Sequence, residues 1–330
     1  MASLPKRSMA LTSPPHLRDN VTTQKLMRNV IIALMPTAIA AVLLFGLSAF
    51  ILIVVTVASC VGFEYLWCRL RKEDQTIGDL SAVVTGLLLA FNLPSTLPLY
   101  MAVIGAFVSI ILVKELFGGL GKNFANPAAV GRIVLAVSFP SAMTNFVTPQ
   151  LGMSGFVDAV SSSTPLAPTS PAASLVDLFF GFHAGVLGET CVFAILLGLV
   201  WLLVTRTITI TIPAVYIATV MVLSFFAGQD PVARAMEGGL LLGAIFMATD
   251  YVTSPSTVKG QIVFAVGLGL ITCLIRFYGN LNEGVAYSIL LMNLLVPYIN
   301  SLTMTRPLGA EKESRFRKKK KAEKEASNAQ

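Results

Sequence analysis

The chain carries little charge for its length. Only 12% of its 330 residues are Asp, Glu, Lys or Arg, whereas 55% are hydrophobic and the mean hydropathy is +0.76. A soluble domain has about 25% charged residues, so most of this apolar surface has to face lipid. The composition therefore excludes a soluble protein. It predicts an all-α polytopic membrane protein, because helices satisfy their own backbone hydrogen bonds in lipid.

Cysteine and histidine are also scarce. The chain has two histidines, and its four cysteines have no Cys-x-x-Cys spacing. We expect the cysteines to be small buried apolar residues, so neither a disulfide framework nor a metal site is predicted. The sequence also lacks His-Glu-x-x-His, Walker and Ser-His-Asp arrangements, and no catalytic side chain is predicted.

The excess of positive charge, +7 in total, lies beside the apolar segments. Lysine and arginine cluster in residues 6–28, 69–72 and 315–324, as is typical of the cytoplasmic side of a membrane, where they contact anionic lipid. We therefore predict cytoplasmic N- and C-termini and no nucleic-acid partner. Lys114 and Arg276 lie near the ends of apolar segments, so their side chains are expected to reach the membrane interface.

The apolar segments, about ten in number, form a repeat. TGLLLAFNLPST (85–96) and GKNFANPAAVGR (121–132) flank one long segment, and GGLLLGAIFMATDYVTSPST (238–257) and YGNLNEGVAYSI (278–289) flank another. Each unit combines a short segment, a Pro-Ser-Thr turn, a full segment and a Gly-Asn break. Because the basic residues place the units in opposite senses, we predict about ten transmembrane helices in two inverted five-helix repeats with short broken helices. Such an arrangement favours a site at the interface of the repeats.

The predicted organisation has five parts. In chain order these are a cytoplasmic N-terminal segment, the first five-helix repeat, an outer-face loop, the second five-helix repeat and a basic disordered cytoplasmic tail: residues 1–27, 28–139, 140–184, 185–301 and 302–330. The loop is assigned to the outer face because it contains no lysine or arginine.

Three polar residues near the broken segments are candidate ligand contacts. Asn123 and Asn126 are three apart at the start of a short helix, so both can face one bound ring or ion, although for each residue alone helix capping is the favoured role. Asp250 closes a short apolar run, where it can cap Thr253 and Ser254 or accept a hydrogen bond from a ligand.

A hydroxyl-rich tract, DAVSSSTPLA (158–167), lies in the outer loop. Three interpretations remain open from the residues alone. The tract can be a solvated loop, a helix cap, or a covalent attachment site, because a hydroxyl can form a phosphoester.

The tract resembles the flavin-attachment motif of a known family. This family contains the D subunit of Rnf electron-transport complexes and the B subunit of the sodium-pumping NADH:quinone reductase. KELFGGLGKNFANPAAVGR (114–132) and FMATDYVTSPSTVKGQ (246–261) resemble the same family, and the resemblance extends over residues 20–305. Because the chain has no long N-terminal extension of the kind that the B subunit carries, the Rnf D subunit is the nearer match.

The resemblance implies two flavins. An FMN is expected on Thr164 through a phosphoester, with Asp158, Ser161 and Ser163 near it. A noncovalent riboflavin is expected at Asn123, Asn126 and Asp250. The chain has Ser162 and Ser163 where the family usually has Gly and Ala, so Ser163 is a competing acceptor.

The resemblance also implies a function, that of a membrane component of an ion-translocating oxidoreductase complex of the ferredoxin:NAD type. Its FMN would relay electrons on the outer face, coupled to the transport of sodium ions or protons across the bacterial cell (inner) membrane. The implied partners are the other subunits of the complex, one with its own covalent FMN. The alternative is an inverted-repeat channel or carrier for a small solute, in which the Ser/Thr tract is a plain loop.

Overall fold

The computed structural model of the chain describes residues 21–149, 161–162, 174–279 and 284–304, with the backbone alone for residues 161–162. The described helices are α1 Thr23–Phe45, α2 Leu47–Arg71, α3 Ser81–Phe91, α4 Leu99–Phe107, α5 Pro127–Ser138, α6 Pro140–Met143, α7 Leu175–Phe180, α8 Val192–Val204, α9 Thr211–Phe226, α10 Pro231–Met236, α11 Leu240–Leu242, α12 Val258–Tyr278 and α13 Val285–Thr303. A 3₁₀ turn, Ile77–Asp79, precedes α3. Two π-helical segments, Val108–Glu115 and Gly243–Met247, continue α4 and α11.

Four helices are long and apolar enough to cross a membrane. Helices α1, α2, α12 and α13 have 23, 25, 21 and 19 residues. At 1.5 Å per residue they are about 28 to 38 Å long, which matches the hydrocarbon thickness of a bilayer. The helical architecture therefore agrees with the predicted class of polytopic membrane protein.

Helix α1 shows why the surrounding solvent has to be lipid. Its inner face buries Leu34 and Ala41 completely, yet its outer face exposes Ile32, Ile39 and Leu43 at helical spacing, with Leu43 58% exposed. A surface helix in water is apolar on one face and polar on the other. A helix that is apolar on both faces is instead stable between a protein core and hydrocarbon.

The shorter apolar helices fill the spaces between the long ones. Helix α2 packs against α3 and α4, and α5 packs against α3 and the π-helical segment that follows α4. In the second half, α12 packs against α9 and α13, and the π-helical segment after α11 contacts α9 and α13. Contacts of α1 with α8 and of α5 with α13 join the halves around one hydrophobic core.

Helix α5 approaches the preceding helix closely because Gly131 has no side chain. A Cβ atom at this position would overlap Ser109 Oγ and lie 3.0 Å from the carbonyl oxygen of Gly105. The close contact fixes α5, and therefore the loop before it, against the rest of the first half.

Two smaller features complete the fold. Cys60, Cys68, Cys191 and Cys273 are free and buried, as predicted. A two-residue strand, β1 Phe146–Val147, pairs with β2 Ser161–Ser162 in antiparallel register. This pair was not predicted from the sequence, and it places Ser161 and Ser162 of the Ser/Thr tract beside the two buried residues of β1.

Candidate functional site

A pocket opens between α1, α3, α8 and the two π-helical segments. Its empty space, including the open mouth, is about 790 Å³. Most of its walls are apolar. The polar contributions come from eight side chains: Ser81, Thr85, Lys114, Asn123, Asn126, Thr249, Asp250 and Tyr251. The structure thus brings together the three residues for which the sequence suggested one ligand, Asn123, Asn126 and Asp250.

Asn126 has both a capping role and a place in the pocket wall. Its Oδ1 accepts hydrogen bonds from the backbone N–H groups of Ala128 and Ala129 at 3.0 and 3.3 Å, so it caps the N-terminus of α5. Its Nδ2 donates to the carbonyl oxygen of Met247 at 3.2 Å. Asn126 therefore ties the first half of the chain to the π-helical segment of the second half, and the two roles suggested for it are compatible.

Asn123 and Asp250 are held by local hydrogen bonds. Asn123 Nδ2 donates to the carbonyl oxygen of Ala125 at 3.1 Å. Asp250 Oδ1 accepts from the Val252 N–H at 3.4 Å, and Oδ2 accepts from Thr253 Oγ1 at 3.2 Å. The expected cap on Thr253 is therefore present. Burial raises the pKa of the Asp250 carboxyl, while these two hydrogen bonds oppose the rise.

Lys114 is a pocket residue that the sequence pattern placed elsewhere. Its side chain was expected at the membrane interface, but it is only 3% exposed. Its Nζ donates to Glu64 Oε2 at 2.7 Å and to Ser81 Oγ at 2.6 Å. The prediction was wrong because a carboxylate inside the bundle attracts the ammonium more strongly than the interface does. The signal in the sequence was Glu64 itself, an acidic residue within the apolar run of α2.

Glu64, Lys114, Ser81 and Asp79 form a continuous chain of hydrogen bonds, which we call the Lys114 network. Ser81 Oγ donates to Asp79 Oδ1 at 2.6 Å, and Thr76 Oγ1 donates to Glu64 Oε1 at 2.5 Å. The network runs from the loop between α2 and α3 to the pocket wall. It holds a cation and a carboxylate in fixed positions beside the space where a ligand can bind.

Arg276, the second cation expected at the interface, is partly buried and hydrogen-bonds two backbone carbonyl oxygens. Its Nη1 donates to the carbonyl oxygen of Arg234 and its Nη2 to that of Glu237, both at 2.9 Å. The guanidinium thus fixes the end of α12 to α10. This arrangement needs no carboxylate partner, because the carbonyl oxygens at the end of α10 accept both hydrogen bonds.

Further buried polar side chains lie beside Met247, whose carbonyl oxygen accepts the hydrogen bond from Asn126. Asn92 Nδ2 contacts Met247 Sδ at 3.5 Å, and Asn92 Oδ1 accepts from Arg132 Nη1 at 2.7 Å. Glu189 is buried nearby, and its Oε1 accepts from the Val186 N–H at 3.1 Å. Neither Arg132 nor Glu189 was singled out from the sequence. Arg132 was visible in the motif GKNFANPAAVGR, whereas nothing near Glu189 in the sequence marked it as central.

The predicted outer flavin site lies mostly outside the described residues. Asp158, Ser163 and Thr164 fall there, and Ser161 is described by its backbone alone, in β2. The backbone pairing places Ser161 opposite Val147 and Ser162 opposite Phe146. Phe146 packs with Ala184 and Val186. Ser161 and Ser162 of the tract therefore lie on a strand whose partner residue Phe146 belongs to a buried apolar cluster.

The comparison with known proteins identifies the family. The chain matches the model of the NQR2, RnfD, RnfE family over residues 10–309, and it belongs to this family. It is 43% identical to the D subunit of the Na(+)-translocating ferredoxin:NAD(+) oxidoreductase complex of Acetobacterium woodii, over 92% of this chain and 96% of the relative. It is 40% identical to the D subunit of the proton-translocating ferredoxin:NAD(+) oxidoreductase complex of Clostridium ljungdahlii, over 94% of this chain and 99% of the relative. The D subunit of the ion-translocating oxidoreductase complex of Stutzerimonas stutzeri is 37% identical, over 87% of this chain and 92% of the relative. The family resemblance seen in the sequence is thus confirmed.

Proposed function

We propose that this chain is a membrane component of an ion-translocating oxidoreductase complex of the ferredoxin:NAD type, and that it carries two flavins. The main observation behind the proposal is that one pocket is lined by Asn123 and Asn126 and also by Asp250, which is far from them in sequence. Relatives that match nearly the whole chain are named as subunits of such complexes, which supports the same assignment.

The fold that we propose has about ten transmembrane helices in two inverted five-helix repeats. The neighbour relations of the described helices support it. In the first half α2 contacts α3 and α4, and in the second half α9 contacts the π-helical segment Gly243–Met247 and α12. Helix α5 contacts α4, and α13 contacts α12 in the corresponding way. Under this topology both termini are on the cytoplasmic side of the bacterial cell (inner) membrane, the pocket opens towards the inner face, and the Ser/Thr tract lies outside.

The pocket suits a noncovalent riboflavin. Its apolar walls can enclose an aromatic ring system, while Asn123, Asn126 and Asp250 offer amide donors and carboxylate acceptors. Among the described residues that line the pocket, Lys114 is the one cation, and it is already paired with Glu64. A phosphate group would find no free cation among these described residues and would meet Asp250, so the lining favours a flavin without a phosphate.

The outer site holds FMN on Thr164 through a phosphoester in this proposal, with Asp158, Ser161 and Ser163 close to it. A covalent tether keeps a cofactor in place without an enclosing pocket. The flavins supply one-electron and two-electron transfer when bound. The residues of the chain position the rings, limit water and tune the electrostatic environment.

The proposed partners are the other subunits of the complex, including a second one with covalent FMN, together with membrane lipid. The transported ion is sodium or the proton. The names of two relatives with similar identity to this chain differ in that ion, so the choice depends on local residues or on the partner subunits.

Replacement of Thr164 tests the outer site. Thr164→Val is expected to abolish covalent FMN, measured as in-gel flavin fluorescence of the denatured chain expressed with the flavin-transferring enzyme. Riboflavin released by denaturation should remain unchanged, because the pocket is separate. Ser163→Ala is the matched control and should keep its fluorescence.

Two outcomes would change the assignment. Retained fluorescence in Thr164→Val together with loss in Ser163→Ala would move the acceptor to Ser163. A wild-type chain that holds neither flavin would contradict the redox function and support the channel or carrier function instead.

A further inference from the structure

We propose that Lys114 and Glu64 set the reduction potential of the flavin in the pocket, with Lys114 stabilising its reduced state and Glu64 opposing this effect. The inference rests on the proposed riboflavin site and adds a role for two residues that have none in it. Lys114 borders the pocket, and Glu64 contacts Lys114 from α2 behind it. Neither residue is needed to explain how a flavin is held.

The position of the ammonium is fixed by three oxygen atoms. Lys114 Nζ lies 2.7 Å from Glu64 Oε2, 2.6 Å from Ser81 Oγ and 3.7 Å from Glu115 Oε1. Ser81 is itself anchored because its Oγ donates to Asp79 at 2.6 Å. A lysine side chain normally samples many rotamers, whereas this one presents its charge at a single place beside the pocket.

Stability alone is a weak explanation for the presence of the buried Lys114–Glu64 pair. Burying two charges removes both from water, and apolar residues of similar volume often stabilise a protein as well or better. Lys114 also lies in the π-helical segment Val108–Glu115, and π-helical irregularities occur often at functional sites. A buried pair on an irregular helix at a pocket wall therefore points to a role in the pocket.

The physical effect follows from charge. Each electron that a neighbouring redox centre of the complex gives to the pocket flavin adds one negative charge there, unless a proton follows. A fixed ammonium nearby stabilises that charge, and a fixed carboxylate destabilises it. Removal of Lys114 and removal of Glu64 should therefore shift the midpoint potential in opposite directions, which a purely structural role for the pair would not do.

The experiment uses the purified chain in a Thr164→Val background, so that neither the covalent FMN of this chain nor the covalent FMN of the partner subunit contributes. The midpoint potential of the remaining flavin is measured by spectroelectrochemical titration. Glu64→Gln keeps a hydrogen-bond acceptor for Lys114 and leaves Glu115 as its nearby carboxylate, so we expect the variant to fold. Glu64→Gln should raise the potential above that of the parent.

Lys114 is then replaced in the Glu64→Gln background, where no unpaired Glu64 carboxylate remains. The double variant Glu64→Gln/Lys114→Met should have a lower potential than Glu64→Gln. We expect the ratio of reduced to oxidised flavin to change at least about tenfold, which is about 30 mV for a two-electron couple. Lys122→Met removes an exposed lysine eight residues along the chain and, as the matched control, should leave the potential unchanged.

The outcomes separate this inference from the proposed function. If riboflavin is present but the two replacements shift the potential in the same direction, or not at all, Lys114 and Glu64 do not tune it and the inference fails alone. If the purified parent chain contains no riboflavin, the proposed pocket function fails and the inference fails with it. Opposite shifts with an unaffected Lys122→Met would support both.

Discussion

The two cations near the ends of long helices are partnered in different ways. Lys114 is paired with a buried carboxylate and borders a pocket, whereas Arg276 donates to two backbone carbonyl oxygens and fixes α12 to α10. A buried pair of a cation and a carboxylate requires both charges to be desolvated. Carbonyl oxygens at a helix end lack intrahelical partners and can accept hydrogen bonds without burial of a second charge. The difference fits the proposal that the region around Lys114 binds a ligand, whereas the contacts of Arg276 join α12 to α10.

The polar groups around α12 support this contrast. Tyr216 OH, Thr272 Oγ1 and Ser288 Oγ are fully buried and bond one another, with Tyr216 OH 2.6 Å from Thr272 Oγ1 and Thr272 Oγ1 2.8 Å from Ser288 Oγ. None of the three lines the pocket. A closed group of hydroxyls adds specificity to the packing of α9, α12 and α13, and it offers no atom to a ligand.

The largest effect on stability is expected from the Lys114 network. Lys114→Met alone leaves the Glu64 carboxylate buried without its cation, which should lower the free energy of unfolding by about 3–5 kcal/mol. The double variant Glu64→Leu/Lys114→Met should recover most of that loss, because no unpaired charge remains. Reversible unfolding in detergent, with both single variants and the double variant, measures the coupling. Additive losses would show that the pair is not coupled.

A smaller effect is expected from Asn126. Asn126→Leu should destabilise the chain by about 1 kcal/mol through loss of the α5 cap, and it should lower the riboflavin content of the purified chain. Asn126→Asp is the control, because it keeps the capping oxygen but loses the Nδ2 donor to Met247. Riboflavin content that is unchanged in Asn126→Leu would remove Asn126 from the proposed site.

Tyr216→Phe tests the packing region. It removes one hydroxyl but leaves the Thr272–Ser288 bond in place, so the expected cost is about 1 kcal/mol of unfolding free energy. Riboflavin content and its midpoint potential should stay at the parent values. A change in either would contradict the division between a ligand-binding region and a packing region.

The smallest effect is a pH dependence at Asp250. Burial raises the pKa of this carboxyl in the folded protein, so its ionisation disfavours folding as the pH rises above the usual range of an unfolded aspartate. The stability of Asp250→Asn relative to the parent should therefore increase from acidic towards neutral pH and then level off. Unfolding midpoints measured across that range provide the test, and a difference that is independent of pH would contradict the raised pKa.

The sequence predicted the parts of the molecule that depend on local pattern. Apolar length predicted the helices, and the spacing of Asn123 and Asn126 at the start of a short helix predicted that the two side chains can face one ligand. Asp250 was a separate candidate from the residues, the family resemblance assigned it to the same ligand, and the pocket contains all three residues. The Lys114–Glu64 pair was missed because its two residues are 50 apart in sequence. They meet only through the packing of two helices, and no local sequence pattern predicts such a contact.

The π-helical segments were missed for a related reason. Val108–Glu115 continues α4 without a proline or any other sequence signal of irregular structure. Its geometry follows from contacts with α2, α3 and α5, and those contacts exist only in the folded bundle. The β1–β2 pair likewise depends on two stretches that meet from different parts of residues 140–184.

The most direct test of the redox function is a flavin analysis of the purified wild-type chain. The chain is denatured and filtered, the filtrate is analysed for riboflavin, and the retained protein is analysed by intact and peptide mass spectrometry. We predict riboflavin in the filtrate and an FMN phosphoester on the peptide that contains Thr164. An empty filtrate together with an unmodified peptide, from a host that carries the flavin-transferring enzyme, would contradict the proposal that this chain carries flavin in the complex.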